Sequence, residues 1–426
     1  MDKKRKKLII VALIILSVFS LERIYNNRNE FQVTAKDASY YGIVEANLTT
    51  REKLQDFDYL YDVLKRNYPF FKVNERLHGM DWLGNRRKYK RMIRNTKNDT
   101  EFFVAMDRIL GDLNNRHVNI LSGAGYRWLY ESYYTSYSQY NAIEYLGWYE
   151  ALSNPYTMYR YKFDGEIESL KLSQEPVLET KVLVEDKIAY MKIKEMANLD
   201  VAKKDYYEIS KFLKEVEDYE KLIIDIRGNG GGFDAYWKNI VELLIDESLS
   251  AKYYIFFKES SISSLDPYRV KGLNVIKQLD KEIFDQFPLE VNTDFNFFKT
   301  CTIRINPWNI GYDTSDQINF TGKIYLLIDN GVFSSAEKFS SFSKDTGFAT
   351  LVGEHTGGDR VFEEIPLYFL HNSKFVIRYS RELGMNIDGT INMETKTIPH
   401  IIVDPTPNAD FKKDECIQAV IRDNDD

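Results

Sequence analysis

KIYLLIDNGVFSSAEKFSSFSKDTGFATLVGEHTGG, residues 323–358, decides how this chain is read. The run Ile324–Ile328 is continuously apolar, as a strand buried on both faces requires. A short turn then presents Ser334 at the mouth of an amphipathic segment beginning Ser335-Ala336-Glu337. A serine on a strand-to-helix turn can reach a substrate, and the first backbone N–H groups of the helix favour negative charge. Serine is also a common N-cap, so Ser334 or Ser335 could equally do no more than close the helix. The choice between nucleophile and cap depends on the rest of the chain.

Working outward, the same α/β grammar recurs upstream. Residues 187–194 (KIAYMKIK) alternate as a strand, and Val201–Val216 is amphipathic with Tyr206, Ile209, Phe212, Leu213 and Val216 on one face. Residues 221–227 (KLIIDIR) are again nearly all apolar. Strand, helix, strand over about 40 residues is a βαβ crossover onto a buried parallel sheet. The turn Gly228–Gly232 and a helix over Ala235–Ile245 follow. A dinucleotide turn fails on spacing, since Phe233 stands where the last glycine of GxGxxG belongs. A glycine-only turn instead lets backbone N–H groups approach a substrate carbonyl, which makes Gly230 and Gly231 candidate oxyanion donors beside the Ser335 N–H.

Towards the N-terminus, Leu54, Phe57, Leu60, Val63 and Leu64 recur at helical spacing. A second helix starts at Asp99 or Thr100 as cap and carries Phe102, Phe103, Met106, Ile109, Leu110 and Leu113 on one face. Residues 125–175 are Tyr-rich and take no clear periodicity. The first seven residues hold five basic ones, and Leu8–Leu21 is apolar except for Ser17 and Ser20. Fourteen residues suit a signal-peptide core better than a full span of about 20. The segment reads as an uncleaved signal anchor, or an inefficiently cleaved signal, with the body exported. Residues 22–50 are polar and read as a stalk.

The whole chain has 426 residues, 44 % hydrophobic and 28 % charged, which is ordinary globular composition. A net charge of −7 with no Lys/Arg stripe beyond the first residues argues against a nucleic-acid partner. Its 30 tyrosines bring aromatics to 14 %, as in a rigid aromatic core. Two distant cysteines, Cys301 and Cys416, form no metal site and leave a disulfide open; five histidines show no HExxH-type pairing. No metal or cofactor is expected, and the oligomeric state is not encoded in any pattern here.

KLIIDIRGNGGG, then VFSSAEKF, then TLVGEHTGG, in that order, resembles the tail-specific (C-terminal processing) and tricorn-core family of serine peptidases. The matched patterns are D-x-R-x-N-x-GG, S-x-x-E and G-E-x-T-x-G. PHIIVDPTPNAD resembles the closing PDxxV segment, with His400 in place of the usual Asp. The resemblance implies an α/β catalytic domain over 176–426, with a mixed, spiral-type (ClpP/crotonase-like) sheet, flanking helices and an insertion around 247–318. Residues 31–175 would form a mainly helical N-terminal domain, and 1–30 the leader. It also implies a peptide or protein substrate, with Ser334 as nucleophile.

Ser-Lys members place a lysine directly after G-E-x-T-x-G, but here Asp359 and Arg360 follow. Arginine does not deprotonate and cannot replace that base. The tricorn-like branch takes a histidine after an N-terminal helix, which points to His117 in LNNRHVNIL, with His355 as the competing histidine. Glu394 lies near the distal glutamate of that branch and Glu337 would support the nucleophile helix. Residues 125–180 are too short for a PDZ module. The chain therefore reads as an exported, single-pass membrane-tethered serine endopeptidase with its catalytic domain extracytoplasmic. A silent peptide- or cell-envelope-binding relative and an esterase-type hydrolase are the alternatives.

Overall fold

A computed structural model describes residues 38–140, 145–166, 176–262, 272–279, 287–307, 318 and 320–423. The basic leader and apolar segment of residues 1–30 lie outside them. No described helix is long and apolar enough to cross a membrane.

The apolar spacing from Leu54 forms α1 (Thr50–Asn67), opened by a reciprocal capping box between Thr49 and Glu52. Helices α2 (Phe71–His78), α3 (Arg86–Arg94) and α4 (Asp99–Gly111) follow. The cap of α4 is Asn98, whose side chain accepts from the Glu101 amide, rather than Asp99 or Thr100. Asp99 is instead buried and accepts from the Ala46 and Leu48 amides and from Arg160. Glu45 in turn accepts from the Asp99 and Thr100 amides, and Ile43 is fully buried. Residues 43–49 are thus packed onto the helical body, where the polar composition had suggested a stalk. Beyond β1 (Asn119–Ile120), the tyrosine-rich stretch folds as α5 (Gly123–Tyr140), α6 (Leu146–Leu152) and α7 (Pro155–Arg160).

The second half opens with β2 (Leu178–Val184), β3 (Ile188–Ile193), α8 (Leu199–Glu215), β4 (Lys221–Asp225) and α9 (Asp234–Leu244). Strands β5 (Leu249–Phe257), β6 (Asn274–Val275) and β7 (Phe297–Ile305) come next, then β8 (Lys323–Ile328), α10 (Ser335–Thr346) and β9 (Thr350–Gly353). The chain closes with β10 (Leu367–Phe369), β11 (Val376–Arg378), β12 (Glu382–Met385), α11 (Asn392–Thr395), β13 (Ile401–Ile402) and α12 (Glu415–Arg422).

The fold is mixed α/β. The main sheet runs β13-β9-β8-β4-β3-β2 and is parallel except for the β2–β3 pair. The β3–α8–β4 unit is the crossover expected from the sequence, with Ile188 in register with Lys221. Side chains alternate across this sheet: Leu222, Ile224, Leu326 and Ile328 pack under α8, α9 and α10, while Ile223, Tyr325 and Leu327 face α12. Burial on both faces is why β4 and β8 read as continuous apolar runs. An antiparallel sheet β12-β5-β7-β6 is built from the 247–318 insertion plus β12.

A third sheet, β1-β11-β10, joins the two halves of the chain, with Asn119 opposite Arg378. One aromatic core accordingly mixes Phe57, Phe103 and Tyr126 with Phe256, Phe375 and Tyr379. Cys301 on β7 and Cys416 on α12 are both free thiols.

Candidate active site

Two loops at the C-terminal ends of β4 and β8 meet to build the site. Asp329 Oδ1 accepts from the Gly228 amide (2.8 Å) and the Gly331 amide (2.9 Å), tying the turns together. Phe333 N donates to the Asn229 carbonyl and Gly357 N to the Val332 carbonyl, so the segment before Ser334 is held from both sides. Ser334 sits at φ 59°, ψ −117°, immediately before α10, and its side chain makes no cap hydrogen bond. A non-glycine residue there costs of order 1–3 kcal/mol and persists only where its surroundings impose it. The cap reading of Ser334 therefore fails, and its hydroxyl is displayed at an elbow.

Gly231, at φ 100°, is what lets the glycine turn close on this elbow. A Cβ there would lie 2.7 Å from the Phe333 carbonyl oxygen and 2.8 Å from Ser334 Cβ. The Gly231 amide itself is committed to Asn229 Oδ1 at 2.9 Å. Of the two glycine donors expected from sequence, Gly230 is the one whose amide has no acceptor among the described residues. Ser335 opens α10, so its N–H belongs to the first turn of a helix, where amides lack intrahelical partners. Its hydroxyl donates to Asp234 Oδ1, and Lys338 holds the other oxygen of Asp234 at 2.6 Å.

Anchorage behind the glycine turn comes from the D-x-R part of its motif. Arg227 is buried and pairs with Asp225 (2.6 Å) and with Asp414 (2.9 Å) at the start of α12. Burial alone would weaken its charge, but the two carboxylates outweigh that and raise its pKa further.

The third component arrives from the other half of the chain. After α4, Asn114 turns at φ 51° and Asn115 Oδ1 accepts from the His117 amide at 2.7 Å. His117 is buried, its ring 4.4 Å from that of Phe333 between centroids. Its Nδ1 lies 2.7 Å from Asp359 Oδ2, and the same oxygen accepts from Asn115 Nδ2 at 2.8 Å. A carboxylate partner fixes the proton on Nδ1 and leaves Nε2 with its lone pair. Burial lowers the His117 pKa, and although Asp359 opposes this, the result stays below the ordinary histidine value. Asp359 itself is buried at φ 57°, a left-handed conformation that aspartate tolerates better than most residues.

Ser334, His117 and Gly230 line one cavity of 1160 Å³. Its far wall is the tyrosine-rich helical stretch, including Trp128, Tyr133 and Tyr145. An oxygen nucleophile, an oriented imidazole and free amides around one cavity are the parts that acyl transfer needs.

Residues 187–403 match the family model for peptidase family S41, which is just over half of the chain. The chain belongs to peptidase family S41. Residues 49–111 also match the tricorn protease C1 domain, which covers α1 to α4. Among solved structures, a candidate peptidase from Parabacteroides merdae is 18 % identical at TM-score 0.54, covering 88 % of this chain and 96 % of that one. Mature CPAF complexed with lactacystin is 14 % identical at TM-score 0.52, covering 83 % and 94 %. A search of curated protein sequences finds no match. The S41 assignment makes the chain a serine peptidase.

Within this S41 chain the structure sorts the residues expected from sequence. Ser334, Ser335, Gly230 and His117 converge. Glu394 does not: Arg76 grips both of its oxygens, at 2.6 and 2.8 Å, and it does not line the cavity. His355 is outside the cavity, its Nδ1 against the Thr356 carbonyl, and His400 Nδ1 accepts from the Leu351 amide. Glu337 is fully buried and accepts from Asn392 (2.6 Å) and Thr397 (2.7 Å), clamping α10 to the chain before β13. Sequence reasoning treated Asp359 only as a lysine that was missing. Its acidity and its place one residue beyond G-E-x-T-x-G were the available signals.

Proposed function

We propose that this protein hydrolyses peptide bonds by a Ser334–His117–Asp359 relay. His117 Nε2 takes the Ser334 proton as Oγ attacks the scissile carbonyl, and Asp359 holds the imidazole in the competent tautomer and stabilises its charged form. The Gly230 and Ser335 amides receive the oxyanion, an effect of about 3 kcal/mol per donor. Collapse of the tetrahedral adduct breaks the C–N bond and passes the proton from His117 to the leaving amine. Water, activated by the same histidine, then cleaves the acyl-serine ester, releasing the new carboxyl terminus and restoring Ser334.

The observation that carries this reading is the buried His117 Nδ1–Asp359 contact, which orients a histidine lining the same cavity as Ser334. A fluorophosphonate probe should label wild type at Ser334 and spare Ser334→Ala and His117→Ala, while His355→Ala still reacts. No labelling between about pH 6 and 9 would favour a silent binding protein instead. The cavity has room for several substrate residues, which supports endopeptidase action. Internal cleavage of peptides blocked at both ends tests that point, and an ester panel run in parallel separates peptidase from esterase.

The basic leader and the apolar run Leu8–Leu21 support export with a membrane tether. Protease accessibility of the catalytic domain on intact cells, compared before and after membrane extraction, tests the topology.

A further inference from the structure

The active-site cavity carries charged groups whose partners can be traced one by one. Lys338 is spent on Asp234, the Glu364 carboxylate accepts from the Tyr133 hydroxyl at 2.8 Å, and Glu363 holds Lys299. Arg116 is spread over the Phe333 ring and donates to the Gly331 carbonyl. Arg378 is different. It projects from β11 into the same cavity, directly across the strand pair from Asn119 and so two residues from His117. Its Nε is buried with no hydrogen-bond partner, and no ion pair to Arg378 occurs among the described residues. A buried guanidinium donor left unmade costs more than a neutral one, and its planar fork matches a carboxylate. Tyr133, which is buried, lines the same wall.

We infer that Arg378 is a specificity-determining residue that receives a carboxylate of the peptide substrate within the active-site cavity. This rests on the peptidase reading of Ser334 and names the substrate chemistry that the site selects. The carboxylate has two possible sources, an acidic side chain or the free C-terminus. Both offer the same bidentate acceptor.

The test uses decapeptides in which one Glu is walked through a neutral sequence. Each is matched to its Gln counterpart, and each is made as free acid and as C-terminal amide. Wild type should cleave the preferred acid at least tenfold faster in kcat/KM than its neutral match. A Glu-over-Gln preference at one position identifies a side chain, and an acid-over-amide preference identifies the C-terminus. In Arg378→Gln the ratio should fall to within about twofold, and Arg378→Lys should keep only part of it, because an ammonium cannot form the paired bonds. The ratio is taken within each protein, so a general loss of activity cancels. If turnover in a variant is too slow to measure, calorimetric binding of the same peptides to Ser334→Ala, with and without Arg378→Gln, supplies the ratio. No preference in wild type, or a preference undiminished in Arg378→Gln, overturns the inference. Labelling of wild-type Ser334 by the uncharged fluorophosphonate separates the two claims: labelling without carboxylate preference removes only the role of Arg378, whereas absence of labelling removes the peptidase reading beneath it.

Discussion

Substituting Asp359→Asn tests the proposed relay at its least exposed point. In the native protein one oxygen, Asp359 Oδ2, accepts from Asn115 Nδ2 at 2.8 Å and from His117 Nδ1 at 2.7 Å. An asparagine offers one acceptor and one donor. If its oxygen keeps Asn115, its NH2 faces His117 Nδ1, which must then become the acceptor. The imidazole proton moves to Nε2, and the lone pair that should deprotonate Ser334 is gone. Loss of the competent tautomer costs about 10³–10⁴ in rate, or about 4–5.5 kcal/mol of transition-state stabilisation at 1.36 kcal/mol per decade. Folding should suffer far less. The side chain keeps its shape, and the loss of a charge-assisted bond, about 1.5–3 kcal/mol, is partly offset because a buried charge is removed. The assay is the second-order rate of Ser334 labelling and kcat/KM on a peptide at pH 7, with thermal unfolding on the same samples. A variant that unfolds near the wild-type temperature but labels within tenfold of it refutes the reasoning, because Asp359 would then be a structural acceptor only.

Other consequences are quicker to state. His117 has its pKa lowered by burial, so kcat/KM should stay level below the ordinary histidine value of 6.5 and fall only at more acid pH. The same shift means the unfolded chain binds a proton that the folded one resists, so this contribution to stability is lost as pH drops below 6.5. His117→Gln should shallow the decline, leaving the part that His400, its pKa also lowered, adds. Gly231→Ala should abolish labelling and lower stability measurably in denaturant titration, since its methyl would meet the Phe333 carbonyl at 2.7 Å. Arg227→Met should cost about 3–5 kcal/mol, because Asp225 and Asp414 would be left buried without their cation. Glu394→Gln should change labelling less than twofold and stability by no more than about 1 kcal/mol, as expected for one partner of a half-exposed surface pair.

The sheet was legible because its strands are buried on both faces, so β4 and β8 stand out as apolar runs between amphipathic helices, with β3 marked by its alternation. Ser334 and the glycine turn were legible for a different reason: backbone geometry there admits few residue types, and the order of the motifs restricts it further. What stayed hidden depends on contacts between distant parts of the chain. Glu394 was placed by its nearness to the closing segment, yet position along the chain could not reveal that Arg76, 318 positions away, would take its carboxylate. The wall formed by α5 was overlooked although Tyr126, Tyr130, Tyr133, Tyr134 and Tyr137 recur at helical spacing on one face, because a stripe of half-polar tyrosines gives a much weaker apolar signal than one of leucines or phenylalanines. Arg378 sits on a three-residue strand, too short for any periodicity to appear.

Position 359 joins these two kinds of information. A lysine there would bring its own base to Ser334, and the helical half of the chain would be needed only for packing. With Asp359 the same backbone site can orient a base but not supply one, so the imidazole must come from elsewhere. The loop after α4 supplies it, and Asn115 ties that loop to Asp359 by a second bond to the same oxygen. The β1–β11 pairing fixes the loop two residues further on. On the proposed reading, residues 43–163 are half of the catalytic apparatus. Weakening the β1–β11 contact, for example with Leu121→Pro just beyond β1, should therefore reduce Ser334 labelling even though it leaves Ser334, the glycine turn and the main sheet untouched. The change removes the Leu121 N–H, which donates to the Val376 carbonyl at 2.9 Å. If labelling survives while proteolysis shows the helical half has come loose, His117 is not the base.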